Sequence, residues 1–251
     1  MADDLREQQE ALLKLQRDAF TASRPESMGV RKDRIKRAMA LLRDHGENLC
    51  KAMAADFGSR SMDQSMITDI ATTVGAGKHA LKNMDKWAKT EKRAPQFPLN
   101  LLGGKGELRY EPKGVIGNMV PWNFPFDIGI GPLAEMLAGG NSVIIKPSDM
   151  TPACSAVMKE MLMAAIDEDI VAVVPGDIDL AKAFPTLPWD HLMYTGNPDV
   201  ARSVAVAAAQ NLVPLTLELG GKCPALFTES SVTRAEVSSV LRTKMIKNGQ
   251  M

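Results

Sequence analysis

Residues 113–149, KGVIGNMVPWNFPFDIGIGPLAEMLAGGNSVIIKPSD, constrain this chain more than any other stretch. Two short, apolar, β-branched runs, 114–120 and 142–146, flank a segment, 126–138, that is apolar at helical spacing and closed by Gly139-Gly140. The pattern predicts strand, helix, strand. Strands this apolar on both faces belong to a parallel sheet covered by helices, and such sheets take ligands beyond the carboxyl ends of their strands. At those ends stand Pro121-Trp122-Asn123-Phe124-Pro125, directly after Val120, and Lys146-Pro147-Ser148-Asp149. Taken singly, each loop is compatible with ordinary turn chemistry, because Pro and Asn favour turns for their own reasons. Two such loops at consecutive strand ends make a ligand crevice the competing reading.

The alternation continues downstream. Thr151 with Pro152 predicts a capped helix start, 170–174 a strand, and 190–195 another after a short helical piece. Asn197 and Pro198 repeat the cap for a helix over 199–210, ahead of a strand over 213–219. Strands alternating with helices predict an α/β fold, a doubly wound parallel sheet. Thr195-Gly196-Asn197 falls where a strand hands over to a helix N-terminus, whose free N–H groups and dipole suit a phosphate. The ordinary dinucleotide fingerprint is absent, since Gly129-Ile130-Gly131-Pro132 lacks its third glycine.

The first hundred residues predict packing helices without chemistry: Leu5, Leu12, Leu15 and Ala19 share one face, Ile35, Met39, Leu42, Leu49 and Met53 another. Met62, Met66, Ile70, Thr73, Leu81 and Met84 form a third stripe, and the basic cluster from Arg31 to Arg37 reads as a solvated face. Residues 93–106 read as a long connection and 107–111 as a short polar strand in need of a partner.

Composition narrows the function classes. Over 251 residues, 30 basic side chains balance 30 acidic ones, so no general field draws the chain to nucleic acid or an anionic membrane, and a small-molecule partner is favoured. Cys50, Cys154 and Cys223 lie far apart without metal-ligand spacing, which suggests neither a disulfide framework nor a zinc site and favours the cytoplasm. The acidic start MADDLREQQE is unlike a signal peptide, and no run has the length of a membrane span.

Near the C-terminal end, Glu218-Leu219-Gly220-Gly221-Lys222 puts a carboxylate at the close of an apolar strand. Burial there would raise its pKa toward the range of a general base; the alternative is a structural ion pair with Lys222. Residues 224–228 then read as a strand, with Cys223 buried at its entry, and Thr233 with Glu236 as a capping box for a helix reaching 247.

PWNFP, KPSD, YTGN, LELGGK and NGQ, in this order and at these separations, resemble the aldehyde dehydrogenase superfamily from about residue 107 to 251. LPWDHLMYTG with NLVPLTLELGGK is similar to its coniferyl aldehyde and class 3-like branch. The resemblance implies oxidation of an aldehyde to the acid with NAD or NADP, and a homodimer when full length with an oligomerisation strand near 107–112. It also implies a Rossmann-like cofactor domain with its N-terminal helices over 1–218, and the start of a cut-short catalytic domain over 219–251. Asn123 matches the oxyanion-hole asparagine and Glu218 the general base that activates water against the thioester. Val120, Pro121, Trp122, Lys146, Ser148, Asp149, Thr195, Gly196, Asn197, Leu219 and Gly220 match positions around the cofactor, with Lys146 on the adenine ribose.

Two departures accompany the match. Asn197 replaces the usual serine, and Asp149 stands where many NAD-preferring members carry glutamate; a carboxylate near the ribose makes NAD the expected choice. The family's nucleophilic cysteine would follow Met251, and Cys223 is not at that position. The sequence therefore leaves two expectations: the cofactor-binding part of an aldehyde dehydrogenase, or a catalytically inactive nucleotide-binding or subunit-pairing module.

Overall fold

The computed structural model describes residues 2–23 and 26–250; the side chain of Leu5, and Met251, lie outside the described residues. Helices α1 (Ala2–Ala22), α2 (Met28–Asp44), α3 (Gly46–Phe57) and α4 (Met62–Ser65) come first, and α4 continues through a π-helical turn, Met66–Ala71, into α5 (Thr72–Trp87). A hairpin follows, β1 (Glu91–Arg93) with β2 (Gly106–Leu108). The central alternation is β3 (Val115–Met119), α6 (Pro125–Ala138), β4 (Ser142–Lys146), α7 (Pro152–Met163) and β5 (Val171–Val173). Then come α8 (Ile178–Ala183), β6 (His191–Gly196), α9 (Pro198–Ala209), β7 (Leu215–Leu219) and, in the tail, α10 (Arg234–Met245).

The sheet is parallel throughout, in the order β5-β4-β3-β6-β7. The chain first winds outward from β3 through β4 to β5, then returns and winds the other way through β6 to β7. This is the predicted doubly wound α/β sheet, and its switch point lies between β3 and β6. Alternate strand residues feed two cores. Ile116, Val120, Val143, Ile145, Val171 and Val173 face α6 and α7, backed by α2, α3 and α5. Val115, Met119, Ile144 and Ala172 face the side covered by α1, α8 and α9. Gly117 serves the second core, because a Cβ there would lie 2.8 Å from Leu192 and 3.0 Å from both Phe184 and Trp189.

Several helix starts follow their short-range signals. Asn197 accepts from the N–H of Asp199, and Thr233 and Glu236 make the predicted capping box. At α7, Thr151 occupies the cap position but makes no side-chain cap bond; the carboxylate of Asp56 accepts from the N–H groups of Ala153 and Cys154 at 3.0 and 2.8 Å instead. Arg31 donates to the carbonyls of Ala138 and Gly139, at 3.4 and 3.3 Å, so α2 closes the C-terminal end of α6. Arg31 and Arg34 also pair with Glu26, which corrects the reading of that basic cluster as a solvated face.

Three further expectations change. Helix α1 buries Gln9, Leu13 and Gln16 while Leu15 stays 47% exposed, because the Gln16 amide donates to the carbonyls of Val143 and Glu168 and turns the helix onto that side. The strand expected at 107–111 forms over Gly106–Leu108 instead and pairs antiparallel with β1, whose last residue, Arg93, the sequence read as the start of a connection. No strand forms over 224–228; with no neighbouring strand among the described residues to complete its hydrogen bonds, that segment stays irregular, and Cys223 is exposed rather than buried.

Candidate active site

The carboxyl ends of β5, β4, β3, β6 and β7 line up along one edge of the sheet, and every candidate catalytic or cofactor residue named from the sequence lies at this edge. Met119 is in register with both Lys146 and Tyr194, Thr195 with Glu218, and Gly196 with Leu219. The loop carrying Pro121, Trp122 and Asn123 leaves β3 on one side of the switch point, beyond the buried Val120. Thr195, Gly196 and Asn197 leave β6 on the other. Asn123 and Glu218 thus bracket the switch point, with β6 between them.

Lys146 ends β4 almost fully buried, at 3% exposure. Its ammonium donates to the carbonyls of Pro147 at 2.7 Å and Gly176 at 3.3 Å, tying the loops after β4 and β5 together and using two of the three N–H donors of a lysine. Burial pushes its pKa down, against the pull of Asp149 and Asp177. Beside it a cleft of about 810 Å³ opens between α7 and these loops, lined in part by Ser148, Asp149, Lys159, Gly176 and Asp177. Lys159 escaped the sequence reading, since a single lysine on the polar side of a helix carries no signal of its own.

Across the switch point, Gly196 is required by space: a Cβ there would lie 2.5 Å from the hydroxyl of Tyr194, which donates to the carbonyl of Asn197 at 3.3 Å. The hydroxyl of Thr195 is buried and has no hydrogen-bond partner among the described residues. Asn197 starts α9 as predicted, but Asp199 in the first turn places a carboxylate, paired with Arg202, at the same helix end. That charge weakens the end as an anion site. An unpartnered hydroxyl at the end of β6, a buried ammonium with a donor to spare at the end of β4 and a cleft beyond it toward β5 fit a nucleotide better than an isolated phosphate.

The asparagine loop is held on several sides. The Nδ2 of Asn123 donates to the carbonyl of Gln250 at 2.7 Å, and its own carbonyl accepts from Arg60 at 3.0 Å. The ring of Trp122 lies 6.0 Å from that of Phe57, and the ammonium of Lys247 sits 4.5 Å from the ring centre of Phe124. Lys247 is paired with Asp69 of the π-helical turn, a place where such turns gather in functional regions. Arg60, Asp69 and Lys247 were not found from sequence: each works through a partner more than sixty residues away.

Glu218 corrects the expectation of a buried carboxylate. It is exposed, as are Leu219 and Gly220, because β7 is the edge strand and among the described residues nothing packs over its outer side. No ion pair joins it to Lys222 among the described residues. Among those residues there is also no cluster of His, Cys, Asp and Glu able to hold a metal, and no helix is long and apolar enough to cross a membrane.

Comparison with known proteins places this geometry. The profile described as "Aldehyde dehydrogenase family" matches residues 2–251. A probable coniferyl aldehyde dehydrogenase of Caulobacter vibrioides is 40% identical over 241 residues, 96% of this chain and 50% of the relative. The coniferyl aldehyde dehydrogenase of Pseudomonas sp. strain HR199 is 38% identical over 227 residues, 90% of this chain and 46% of its own length. The structure of a Mycobacterium tuberculosis aldehyde dehydrogenase complexed with NAD+ superposes with a TM-score of 0.86 at 27% identity, covering 100% of this chain and 50% of that one. The chain therefore spans about half the length of the relatives it matches. On the profile match and these relatives, the chain belongs to the aldehyde dehydrogenase family.

Proposed function

We propose that this chain is the cofactor-binding part of an NAD(P)-dependent aldehyde dehydrogenase acting on an aromatic, coniferyl-type or long aliphatic aldehyde. The observation that carries the reading is the placement of Asn123 and Glu218 on opposite sides of the switch point, with Thr195 in register with Glu218. Residues 1–218 form the nucleotide-binding part and 219–251 the start of a catalytic part. The relatives' names support the coniferyl-type aldehyde, and the NAD+ complex of the mycobacterial neighbour supports the cofactor.

Lys146, with Ser148 and Asp149 on the cleft wall, would hold the adenosine end of the cofactor, and Trp122 and the Thr195-Gly196 turn would flank the rest. The bound nicotinamide supplies the hydride acceptor. Asn123 has two amide N–H donors, of which one is held by the carbonyl of Gln250; the other is available for the aldehyde oxygen as it becomes negative when a thiolate adds to the carbon. Glu218 would take a proton from the water that hydrolyses the thioester left once hydride has departed from that carbon to the nicotinamide.

The thiolate comes from none of the described cysteines. Cys50 and Cys154 are buried, and burial raises the pKa of both thiols, which leaves little thiolate at neutral pH. Cys223 is exposed on the irregular segment after β7, and by its place directly after Gly220-Gly221-Lys222 it does not match the position of the family's nucleophile. The 251-residue chain is accordingly expected to bind NAD or NADP without producing NADH or NADPH from aldehydes, whereas the reading frame continued through a cysteine after Met251 is expected to turn over. Steady turnover by the short chain that disappears in Cys223→Ser would overturn this assignment. A homodimer formed through the β1–β2 hairpin and a cytoplasmic location belong to the same reading.

A further inference from the structure

An oxyanion donor works only if it is held where charge develops, so the structure around Asn123 bears directly on its chemistry. The asparagine sits on a short loop between β3 and α6, and the residue after it, Phe124, has non-helical angles, φ −132° and ψ 68°. Neither the sheet nor the helix fixes the peptide between Asn123 and Phe124 by its regular hydrogen bonding. Arg60 does so from outside. This half-buried residue lies in the turn between α3 and α4, and its Nη2 donates to the Asn123 carbonyl at 3.0 Å. Its guanidinium carbon stands 3.5 Å over the ring of Phe57, whose ring in turn lies 6.0 Å from that of Trp122. Nη1 is 4.0 Å from the sulfur of Met53, which fills the side of the fork that makes no bond to the loop.

One planar cation thus reaches the same loop twice, through a hydrogen bond to the asparagine's backbone and through a stack that ends on the neighbouring tryptophan. A guanidinium suits both contacts at once; an ammonium offers a point charge without the plane. We propose that Arg60 is a positioning residue for Asn123, holding its backbone so that the side-chain amide points into the site from a single orientation. The inference rests on the role given above to Asn123, but its geometric content does not depend on the cofactor or on turnover.

The side-chain amide of Asn123 provides the test in the 15N-labelled 251-residue chain, its resonance pair identified by its loss in Asn123→Asp. Wild type is expected to show one sharp pair. Arg60→Ala should shift and broaden it, millimolar guanidinium chloride added to that variant should restore it, and Arg60→Lys should fall between. If Arg60→Ala does not fold, Arg60→Lys carries the test alone, and an unchanged amide pair in a folded variant overturns the proposal. In the complete enzyme the same substitution should lower kcat roughly tenfold to a hundredfold while leaving cofactor affinity unchanged, with partial recovery by guanidinium. Equal losses in cofactor affinity and kcat without recovery would mark Arg60 as structural only. Absence of any nicotinamide nucleotide binding by the wild type would instead strike the proposed function and leave the resonance test standing.

Discussion

Lys247 and Asp69 form an ion pair closed off from solvent, each side chain 0% exposed, although they are 178 residues apart in the chain. The pair clips the end of the tail to the π-helical turn between α4 and α5, beneath the ring of Phe124. Burial pushes the Lys247 pKa down while Asp69 opposes the shift. A buried charge deprived of its partner costs about 3 kcal/mol or more, so Lys247→Met should make release of the tail about a hundredfold more frequent. Hydrogen exchange at residues 242–247 reads this directly. Asp69→Asn combined with Lys247→Met should be less disruptive than the sum of the two changes, and unchanged exchange in the single variant would show that the clip contributes nothing.

Lys146→Met is expected to weaken NAD binding by roughly tenfold to a hundredfold, the usual loss for a charge-assisted hydrogen bond inside a protein. It also cuts the link between the carbonyls of Pro147 and Gly176, so the loops after β4 and β5 should loosen even without ligand. Calorimetry on the folded variant measures the first effect. Wild-type affinity in the variant would remove Lys146 from the site.

Asp149 and Lys159 line the same cleft with opposite charges. With Asp149 facing the ribose, Asp149→Ser reduces the repulsion felt by a 2′-phosphate, although Glu160 and Asp177 stay on the cleft wall, and leaves Lys159 to attract it. The ratio of NADP to NAD affinity should then rise several-fold at low ionic strength and fall back as salt is added. A ratio that does not move would place the ribose elsewhere.

Four residues beyond Asn123, Asp127 accepts from the hydroxyl of Thr73 at 3.0 Å. Burial nonetheless holds its carboxyl above the ordinary range, with the hydrogen bonds from Thr72 and Thr73 pulling the other way. The folded chain therefore keeps this proton at pH values where the unfolded chain has lost it, and stability contributed in acid is lost as pH rises through the folded pKa. Asp127→Asn carries no such dependence. It should unfold at higher urea than wild type at pH 7, and the gap should close as pH falls toward ~4. A gap that is constant with pH would contradict this account.

What the sequence disclosed was local. The unit built on residues 113–149 folds as read because its strands, glycine stop and prolines report on their nearest neighbours. The caps at Asn197 and Thr233 hold for the same reason. Burial was less legible, since it depends on surfaces brought from elsewhere. The apolar run before Glu218 reads as a core strand, yet at the sheet edge β7 is covered on one side only. Leu13 and Leu15 of α1 are equivalent by composition, and only the carbonyls that receive Gln16 decide which of them is buried. Long-range polar contacts such as Asp56 on α7 and Arg60 on Asn123 leave no periodic trace at all.

The bond from Arg31 to the end of α6 spans 107 residues, and this separation sets an order of events during synthesis. At the usual pace of translation, helix α2 is synthesised about 5–20 s before its acceptor carbonyls exist. Through that interval Ile35, Met39 and Leu42, which end up buried against the sheet's helical cover, have only α3 and α5 to pack on. The N-terminal helices are thus the part of the nascent chain that waits longest for its neighbours, and the part for which a holding chaperone has the most time to act.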